Sequence, residues 1–393
     1  MNAIRQITAV SAMGLRSIPR RLGSSTVIVL GIAGVVVVLL GFLSMAGGLS
    51  RTLASAGRRD RAIVLRRGAD SEASSSMTEE QARTIESAPG IRKNGDGKPL
   101  ASAEALAMVS LPAKSDGANA EVSVRGIAPI GFALRPEIRI VSGRMPRPGL
   151  RELIAGRAAT RQFRGLELGN HVAIRDSDWT VVGVFESNGD ARESELIGDA
   201  ESILSVYQSS IVNSVTVQLQ SPASFSDFKD ALTTDPTLTV SVQREEEYYA
   251  RQSRRLGVML TIVAYIVGGI MAIGAIFGGL ATMYAAVSTR TVEIATLRAI
   301  GYGPAGVVVS VVLESLLLAS LGALGGSALA WLALSGRTIS TLIGSGQIVA
   351  QLQVNARLFA MAIAWAGGIG LVGGLFPAIR AARQPVATAL RAM

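Results

Sequence analysis

The sequence has 393 residues, of which 49% are hydrophobic and only 17% are charged, and its mean hydropathy is +0.40. Soluble domains carry about 25% charged residues, so this composition predicts a membrane protein. One histidine and no cysteine are present. This excludes a disulfide framework, a thiol nucleophile, and a zinc or iron–sulfur site built from His and Cys.

The net charge of +9 indicates topology rather than nucleic-acid binding. A nucleic-acid surface needs basic residues interleaved with aromatic residues, and aromatic residues make up only 5% of the chain. The arginines cluster instead at the ends of apolar segments, where the positive-inside rule and anionic lipid headgroups favour them.

Four apolar segments are predicted to be membrane-spanning helices. The first contains 21 uncharged residues at 26–46, which exceeds the apolar core of roughly 7–15 residues in a signal peptide and is long enough to cross the bilayer. We therefore predict a retained span. Small residues in the later spans would allow close helix packing in lipid. The predicted spans are 24–47, 251–284, 305–335 and 357–379.

Loop charges predict the orientation of the spans. Arginines are frequent in the N-terminal amphipathic segment 1–23, in the loop 285–304 and in the tail 380–393, whereas the short loop 336–356 contains only Arg337. By the positive-inside rule both termini are predicted to be cytoplasmic, and 336–356 is predicted to be a short extracytoplasmic loop.

The long insertion at 48–250 is predicted to be a folded α+β domain with a stalk. A capping box that opens at Thr78 predicts a helix, and the segments 171–176 and 179–185 predict a β-hairpin. From Glu245 the pattern is helical and enters the second span without a break. The predicted fold class is an α-helical membrane protein with four transmembrane helices plus a large α+β extracytoplasmic domain inserted between helices 1 and 2.

A short mixed-charge segment, Thr291–Ile300, separates the second and third spans and is predicted to be an independent helix. Glu293 near its start and Arg298 near its end suit the helix dipole, and Gly301 follows as a C-terminal cap. Ile294, Leu297 and Ile300 share one side of this helix. On these residues alone, a helix that lies passively among lipid headgroups is an adequate alternative.

Several motifs in this region resemble a known family. The order is Arg290, Glu293-Ile294, Leu297–Gly301, Glu314-Ser315 and the glycine-rich Gly322–Gly326. It resembles the C-terminal hallmark of FtsX-like ABC-transporter permeases, the group that contains the macrolide exporter MacB and the lipoprotein-releasing permeases. The tail "FPAIRAARQPVATALRAM" is similar to the ending of that family, and residues 141–174 with "WTVVGVFES" are similar to the periplasmic core domain of the macrolide-exporter group.

The resemblance implies a role for the short helix as a coupling helix that docks on an ATPase. Ile294, Leu297 and Gly301 would make the apolar contact, and Thr291, Glu293 and Arg298 would complete the site. It also implies partners: two copies of a cytoplasmic ABC ATPase subunit, a second permease copy (homodimer or close paralogue), and a periplasmic adaptor with an outer-membrane channel. The implied location is the bacterial inner membrane, in contact with its lipid.

The chain is predicted not to hydrolyse ATP itself. A P-loop needs Gly, four residues and then Gly-Lys-Ser/Thr, and the nearest candidate, "GIRKNGDGKPL", has Arg92 and Pro99 at two of those positions. No catalytic residue, metal ligand or directly bound cofactor is predicted. ATP and Mg²⁺ would be bound by the partner ATPase.

Glu314 and Ser315 are polar residues inside the predicted third span. Glu314 lies about ten residues into that span, roughly 15 Å, and a carboxylate at such a depth is costly. No basic partner is evident in the spans, and we expect Glu314 to fix helix packing or to take part in coupling. A proton relay is the alternative.

Three further features are predicted to have structural roles. His171 lies in a predicted surface turn without a ligand-spaced partner, and Glu245–Glu247 are predicted to form a solvated helix start, with cation binding as the alternative. Tyr248 and Tyr249 are predicted to be interfacial aromatic anchors.

The predicted function is that of a permease subunit that works by mechanotransmission and couples ATP hydrolysis by a separate ATPase to substrate export or efflux with an adaptor. Extraction of lipoproteins, or FtsX-like signalling to cell-wall hydrolases without transport, are the alternatives. No aromatic cage or concentrated charged pocket in the sequence identifies a substrate.

Overall fold

A computed structural model describes residues 22–300, 303–343 and 346–383. Gly301 and most of the predicted terminal segments 1–23 and 380–393 lie outside these residues. The α-helices are α1 (Leu22–Ala54), α2 (Glu79–Glu86), α3 (Pro129–Ala133), α4 (Arg157–Gln162), α5 (Ala200–Val206), α6 (Phe225–Thr233), α7 (Glu245–Ser288), α8 (Thr291–Ala299), α9 (Pro304–Leu334) and α10 (Ala356–Arg383).

The strands are short, apart from three that lie in the middle of the chain. They are β1 (Arg61–Arg66), β2 (Met77–Thr78), β3 (Ala101–Pro112), β4 (Asn119–Ile127), β5 (Arg139–Gly143), β6 (Glu152–Gly156), β7 (His171–Ile174), β8 (Ser177–Glu186), β9 (Leu196–Asp199), β10 (Ile211–Val212), β11 (Ser214–Gln218), β12 (Val240–Arg244), β13 (Thr338–Ile343) and β14 (Gly346–Gln351).

Four helices, α1, α7, α9 and α10, are long and apolar enough to cross a membrane. Together with the α+β domain that follows α1, they confirm the predicted fold class. Helix α7 has 44 residues, about 66 Å at 1.5 Å per residue, so the chain is helical without a break from Glu245 into the second span. The residues form two compact units. The membrane unit is Met1–Gly47, Val258–Arg337 and Leu352–Met393, and the inserted domain is Gly48–Gly257 with Thr338–Gln351.

Within the membrane unit, small residues bring the helix backbones close together. A Cβ on Gly326 of α9 would lie 2.6 Å from the carbonyl oxygen of Ala33 in α1, and one on Gly370 of α10 would lie 2.6 Å from Cβ of Ala319. Only glycine therefore fits at these two contacts without movement of a neighbour, as expected for close helix packing in lipid.

The inserted domain is built on one sheet of ten strands, in the order β12-β1-β11-β3-β4-β9-β6-β8-β5, with β7 paired to β8. Most pairs are antiparallel, and β4–β9 and β6–β8 are parallel. Trp179 and Phe228 are fully buried in two separate apolar clusters. Thr78 caps α2 and receives a hydrogen bond from the backbone of Gln81, and β7–β8 form a hairpin, so both of these local predictions are confirmed.

The segment predicted to be a short extracytoplasmic loop at 336–356 contains a further β-hairpin. Strands β13 and β14 pair in antiparallel register from Thr338↔Gln351 to Ile343↔Gly346, and they belong to the inserted domain. A Cβ on Gly48 would lie 2.5 Å from the carbonyl oxygen of Gln351, so the end of this hairpin lies against the start of the domain.

Candidate functional site

Helix α8 forms where the mixed-charge segment predicts it. Its bounds, Thr291–Ala299, match the predicted segment to within one residue at the C-terminal end. Glu293 lies in its first turn and Arg298 in its last turn, where each charge interacts favourably with the helix dipole. Pro304 then occupies the first turn of α9, a position that favours proline.

The apolar side chains on one side of α8 have different surroundings, since some pack inside the protein and another is exposed. Ile294 packs against an apolar cluster made by α7, α9 and α10, and Ala295 is buried beside it. Ile300, directly after the helix, has 71% of its surface exposed. Thr291 donates its hydroxyl to the carbonyl oxygen of Ser288 at 2.8 Å. The side chain of Leu297 and the whole of Gly301 lie outside the described part of the chain.

A buried ion pair connects the start of α8 to α9. Nη1 of Arg290, the residue that precedes α8, donates to Oε2 of Glu314 at 3.2 Å, and the two side chains are 14% and 8% exposed. The spans contain no basic partner that the sequence makes evident for Glu314, because Arg290 lies in the connection before α8. The pairing favours a structural or coupling role for Glu314 over a proton relay.

The neighbouring residue, Ser315, binds α10 from a different face of α9. Its hydroxyl donates to the carbonyl oxygen of Gly370 in α10 at 2.8 Å and is buried. A Cβ on Gly374 would lie 2.0 Å from the Ser315 hydroxyl oxygen. Thus two adjacent residues, Glu314 and Ser315, connect α9 to the start of α8 and to α10.

The predictions for the start of α7 are wrong in part. Glu245 is 1% exposed instead of solvated, and both Tyr248 and Tyr249 are 5% exposed instead of lying at an interface. Their polar atoms bind partners inside the inserted domain, so they are buried there. Glu246 and Glu247 do remain accessible, with side chains 42% and 59% exposed.

The partners of these residues belong to two clusters of buried charges. One surrounds Arg192 and the other surrounds Arg125, which contacts Glu72 at 2.8 Å. Burial raises the pKa of Glu72, but the charge of Arg125 and the hydrogen bonds from Arg125 and Ser214 together lower this pKa to about 2. Burial raises the pKa of Asp190 to about 6 despite the nearby charge of Arg192. No local sequence pattern indicates either cluster, because each joins residues far apart in the chain.

The remaining polar candidate, His171, is exposed at the start of β7, and its Nδ1 lies 3.4 Å from the hydroxyl of Thr180. In residues 22–300, 303–343 and 346–383, no group of three or more His, Cys, Asp or Glu side chains is placed to hold a metal ion.

Comparisons with known proteins match most of the chain. Residues 25–235 match the family model of the MacB-like periplasmic core domain, and residues 265–386 match that of the FtsX-like permease C-terminal domain. The second match contains α8 and the Arg290–Glu314 ion pair. No curated protein gives a significant match.

Several solved structures are similar to the chain, among them the following two. One is the extracellular domain of the ABC-type transporter YknZ from Gram-positive bacteria, with 17% identity and a TM-score of 0.36 over 47% of this chain and 99% of that one. The other is the periplasmic region of MacB from Actinobacillus actinomycetemcomitans, with 12% identity and a TM-score of 0.37 over 51% of this chain and 94% of that one.

Proposed function

The chain belongs to the FtsX-like, MacB-type family of ABC transporter permeases, and we propose that it works by mechanotransmission. ATP hydrolysis in a separate ATPase would move the inserted domain and so drive export of a substrate. The family is one of multi-pass membrane permeases that are normally not enzymes themselves. It implies an ABC ATPase partner and possible dimerisation.

The observation that carries this proposal is the way α8 is held. A helix of nine residues is marginal on its own, because isolated helices shorter than about 12–15 residues are unstable in water. The ion pair between Arg290 and Glu314 and the packing of Ile294 hold it against α9 and α10. A displacement of α8 would therefore move the spans with it.

We further propose that α8 faces the cytoplasm of a bacterial cell and docks on the ATPase. Thr291, Glu293, Leu297, Arg298 and Gly301 would contribute to this contact, as the family resemblance implies. Ile300 joins this set because it is a large apolar side chain left exposed beside α8. Helix α7 would carry the motion to the inserted domain, since it continues without a break from Glu245 to Ser288.

The test is co-purification of the full chain with its ATPase in mild detergent. We expect Ile300→Asp to abolish recovery of the ATPase, because it places a charge in the proposed apolar contact. The matched control is Val141→Asp, since Val141 is also a large apolar side chain with 52% of its surface exposed but lies in the inserted domain. The control should recover the ATPase normally.

Two results would contradict the proposal. Recovery of the ATPase with Ile300→Asp would remove α8 from the contact, and failure of the unmodified chain to recover any ATPase would reject a separate partner. The other recovered proteins identify the pathway. A periplasmic adaptor supports export, a lipoprotein supports lipoprotein extraction, and a peptidoglycan hydrolase without an adaptor supports signalling.

A further inference from the structure

A single buried guanidinium holds both segments by which the chain enters and leaves the main part of the inserted domain. Nη1 of Arg192 donates to the carbonyl oxygen of Ala56, just after α1, at 3.0 Å. Nη2 donates to Oε1 of Glu245, the first residue of α7, at 2.7 Å and to the hydroxyl of Tyr249 at 3.2 Å. The side chain of Arg192 is 3% exposed.

The second oxygen of Glu245 closes the contact from the other side. Oε2 accepts a hydrogen bond from the backbone N–H of Arg58 at 3.1 Å and lies 2.8 Å from Nε of Arg61. The two segments approach so closely here that a Cβ on Gly57 would lie 2.5 Å from Cα of Glu246. Both carboxylate oxygens of Glu245 thus bind the segment that follows α1, one directly and one through Arg192.

A second buried arginine continues this connection into the sheet. Arg125 on β4 donates to both carboxylate oxygens of Glu195, from Nε at 2.7 Å and from Nη2 at 2.9 Å. Glu195 is three residues after Arg192, so one short segment carries a contact to each arginine. Arg125 also binds Glu72, whose backbone N–H donates to the hydroxyl of Tyr248 at 3.2 Å.

The neighbouring Tyr248 and Tyr249 therefore contact different clusters, and the contacts form a closed ring between α7 and β4. Buried ion pairs of this kind contribute little net stability over apolar residues of similar volume, because desolvation of the charges is costly. They do require a specific geometry, since charge-assisted and two-point hydrogen bonds are directional. A ring of directional contacts resists rotation and sliding of α7. Apolar packing is not directional, so on its own it resists these movements less.

We infer that Arg192 and Arg125 are positioning residues that fix the first turns of α7 and the segment after α1 to strand β4, so that these parts move as one body. The inference concerns contacts inside the inserted domain and does not depend on the proposed function. We call this set of contacts around Arg192 and Arg125 the joint. If the chain is a mechanotransmission permease, the joint is where a displacement of α7 reaches the sheet.

The absence of cysteine from the chain makes a distance measurement straightforward. Spin labels at Ser110→Cys on β3 and Arg251→Cys on α7, both exposed positions of the full chain, report the position of α7 relative to the sheet. We expect a narrow distance distribution in the otherwise unmodified chain. Arg192→Gln should abolish this narrow distribution, because it removes the charge and the contacts to two of the three acceptors.

Matched variants distinguish the joint from general effects of losing an arginine. Arg157→Gln removes a surface ion pair with Glu186 and should keep the narrow distribution. Tyr249→Phe removes one hydrogen bond of the joint and should give an intermediate width. An unchanged distribution in Arg192→Gln would overturn the inference.

A second measurement needs no variant at the joint and covers the case in which Arg192→Gln does not fold. In the unmodified chain, backbone amides of residues 249–256 should exchange with solvent as slowly as those of β4, since the joint lets both open only together. Exchange about 100-fold faster at 249–256 than in β4 would overturn the inference. Co-purification of the ATPase tests α8 separately, so failure of one proposal does not imply failure of the other.

Discussion

Removing one member of the Arg290–Glu314 pair should destabilise the protein more than removing both. Nη1 and Oε2 are 3.2 Å apart, and the side chains are 14% and 8% exposed. Loss of one partner from a buried ion pair costs about 3–5 kcal/mol, because the remaining charge stays buried without compensation. Since Arg290 keeps some exposure, we expect about 3 kcal/mol for Glu314→Leu.

The double variant Arg290→Met/Glu314→Leu replaces the pair with apolar side chains of similar size. Such replacements are often neutral or stabilising, so the double variant should regain most of the stability lost by either single change. Reversible denaturation of the purified full chain, applied to all four members of the double-mutant cycle, gives the coupling free energy. We expect about 2 kcal/mol or more for two groups in direct contact.

The control for this cycle is Glu293→Leu, which removes an exposed acid from α8 and should change the free energy of unfolding by less than about 0.5 kcal/mol. If the two single effects add to within about 0.5 kcal/mol in the double variant, the pair does not hold α8 to α9. A displacement of α8 would then not reach α9 through this pair.

Three further predictions address packing and pH. Gly326→Ala should be less stable than Gly325→Ala by about 1–3 kcal/mol in thermal unfolding, since a Cβ meets Ala33 within 3.0 Å only at Gly326; equal stability would contradict the close contact. Ser315→Ala should cost about 1 kcal/mol in the same assay, because the buried hydrogen bond from the Ser315 hydroxyl to the carbonyl oxygen of Gly370 in α10 is lost. The folded-state pKa of Glu72 is lowered to about 2, so the stability that ionised Glu72 contributes is complete above about pH 4.5 and is lost as the pH falls toward 2. The folded-state pKa of Asp190 is raised to about 6, so ionised Asp190 destabilises the fold, and acidification through about pH 6 removes this cost. Stability should therefore rise and then fall on acidification, and Asp190→Asn should remove the rise.

Local patterns in the sequence predict much of the fold because their causes are local. Hydropathy over about 20 residues identifies a span regardless of its neighbours, and the capping box at Thr78 acts within one helical turn. The bounds of α8 follow in the same way from Arg290, Pro304 and the charges between them. Strand order in the sheet depends on pairings such as β1 with β11 and β12, and no local signal specifies these.

Burial of charged side chains was the main feature that the sequence did not reveal. Three consecutive glutamates at 245–247 have the pattern of a solvated helix start, and only Glu245 departs from it because Arg192 and Arg61 are brought beside it by the fold. The pairing of Arg290 with Glu314 is hidden for the same reason, since 24 residues separate them. A carboxylate inside a predicted span is costly. This signal identifies Glu314 from the sequence, but it does not identify Arg290 as the partner.

Together these buried pairs give α7 a defined position at each end. Glu245 at its first residue binds Arg192, and Arg290, two residues after its last, binds Glu314. Between the ends, large side chains such as Ile266, Ile270 and Phe277 are exposed on the protein surface. Lipid tails are as apolar as these side chains, so such a surface gives the helix little orientation. The rest of the helix surface packs in apolar clusters with α1 and α10. The directional contacts at the two ends add orientation to this packing, which is the property that the proposed mechanotransmission requires of α7.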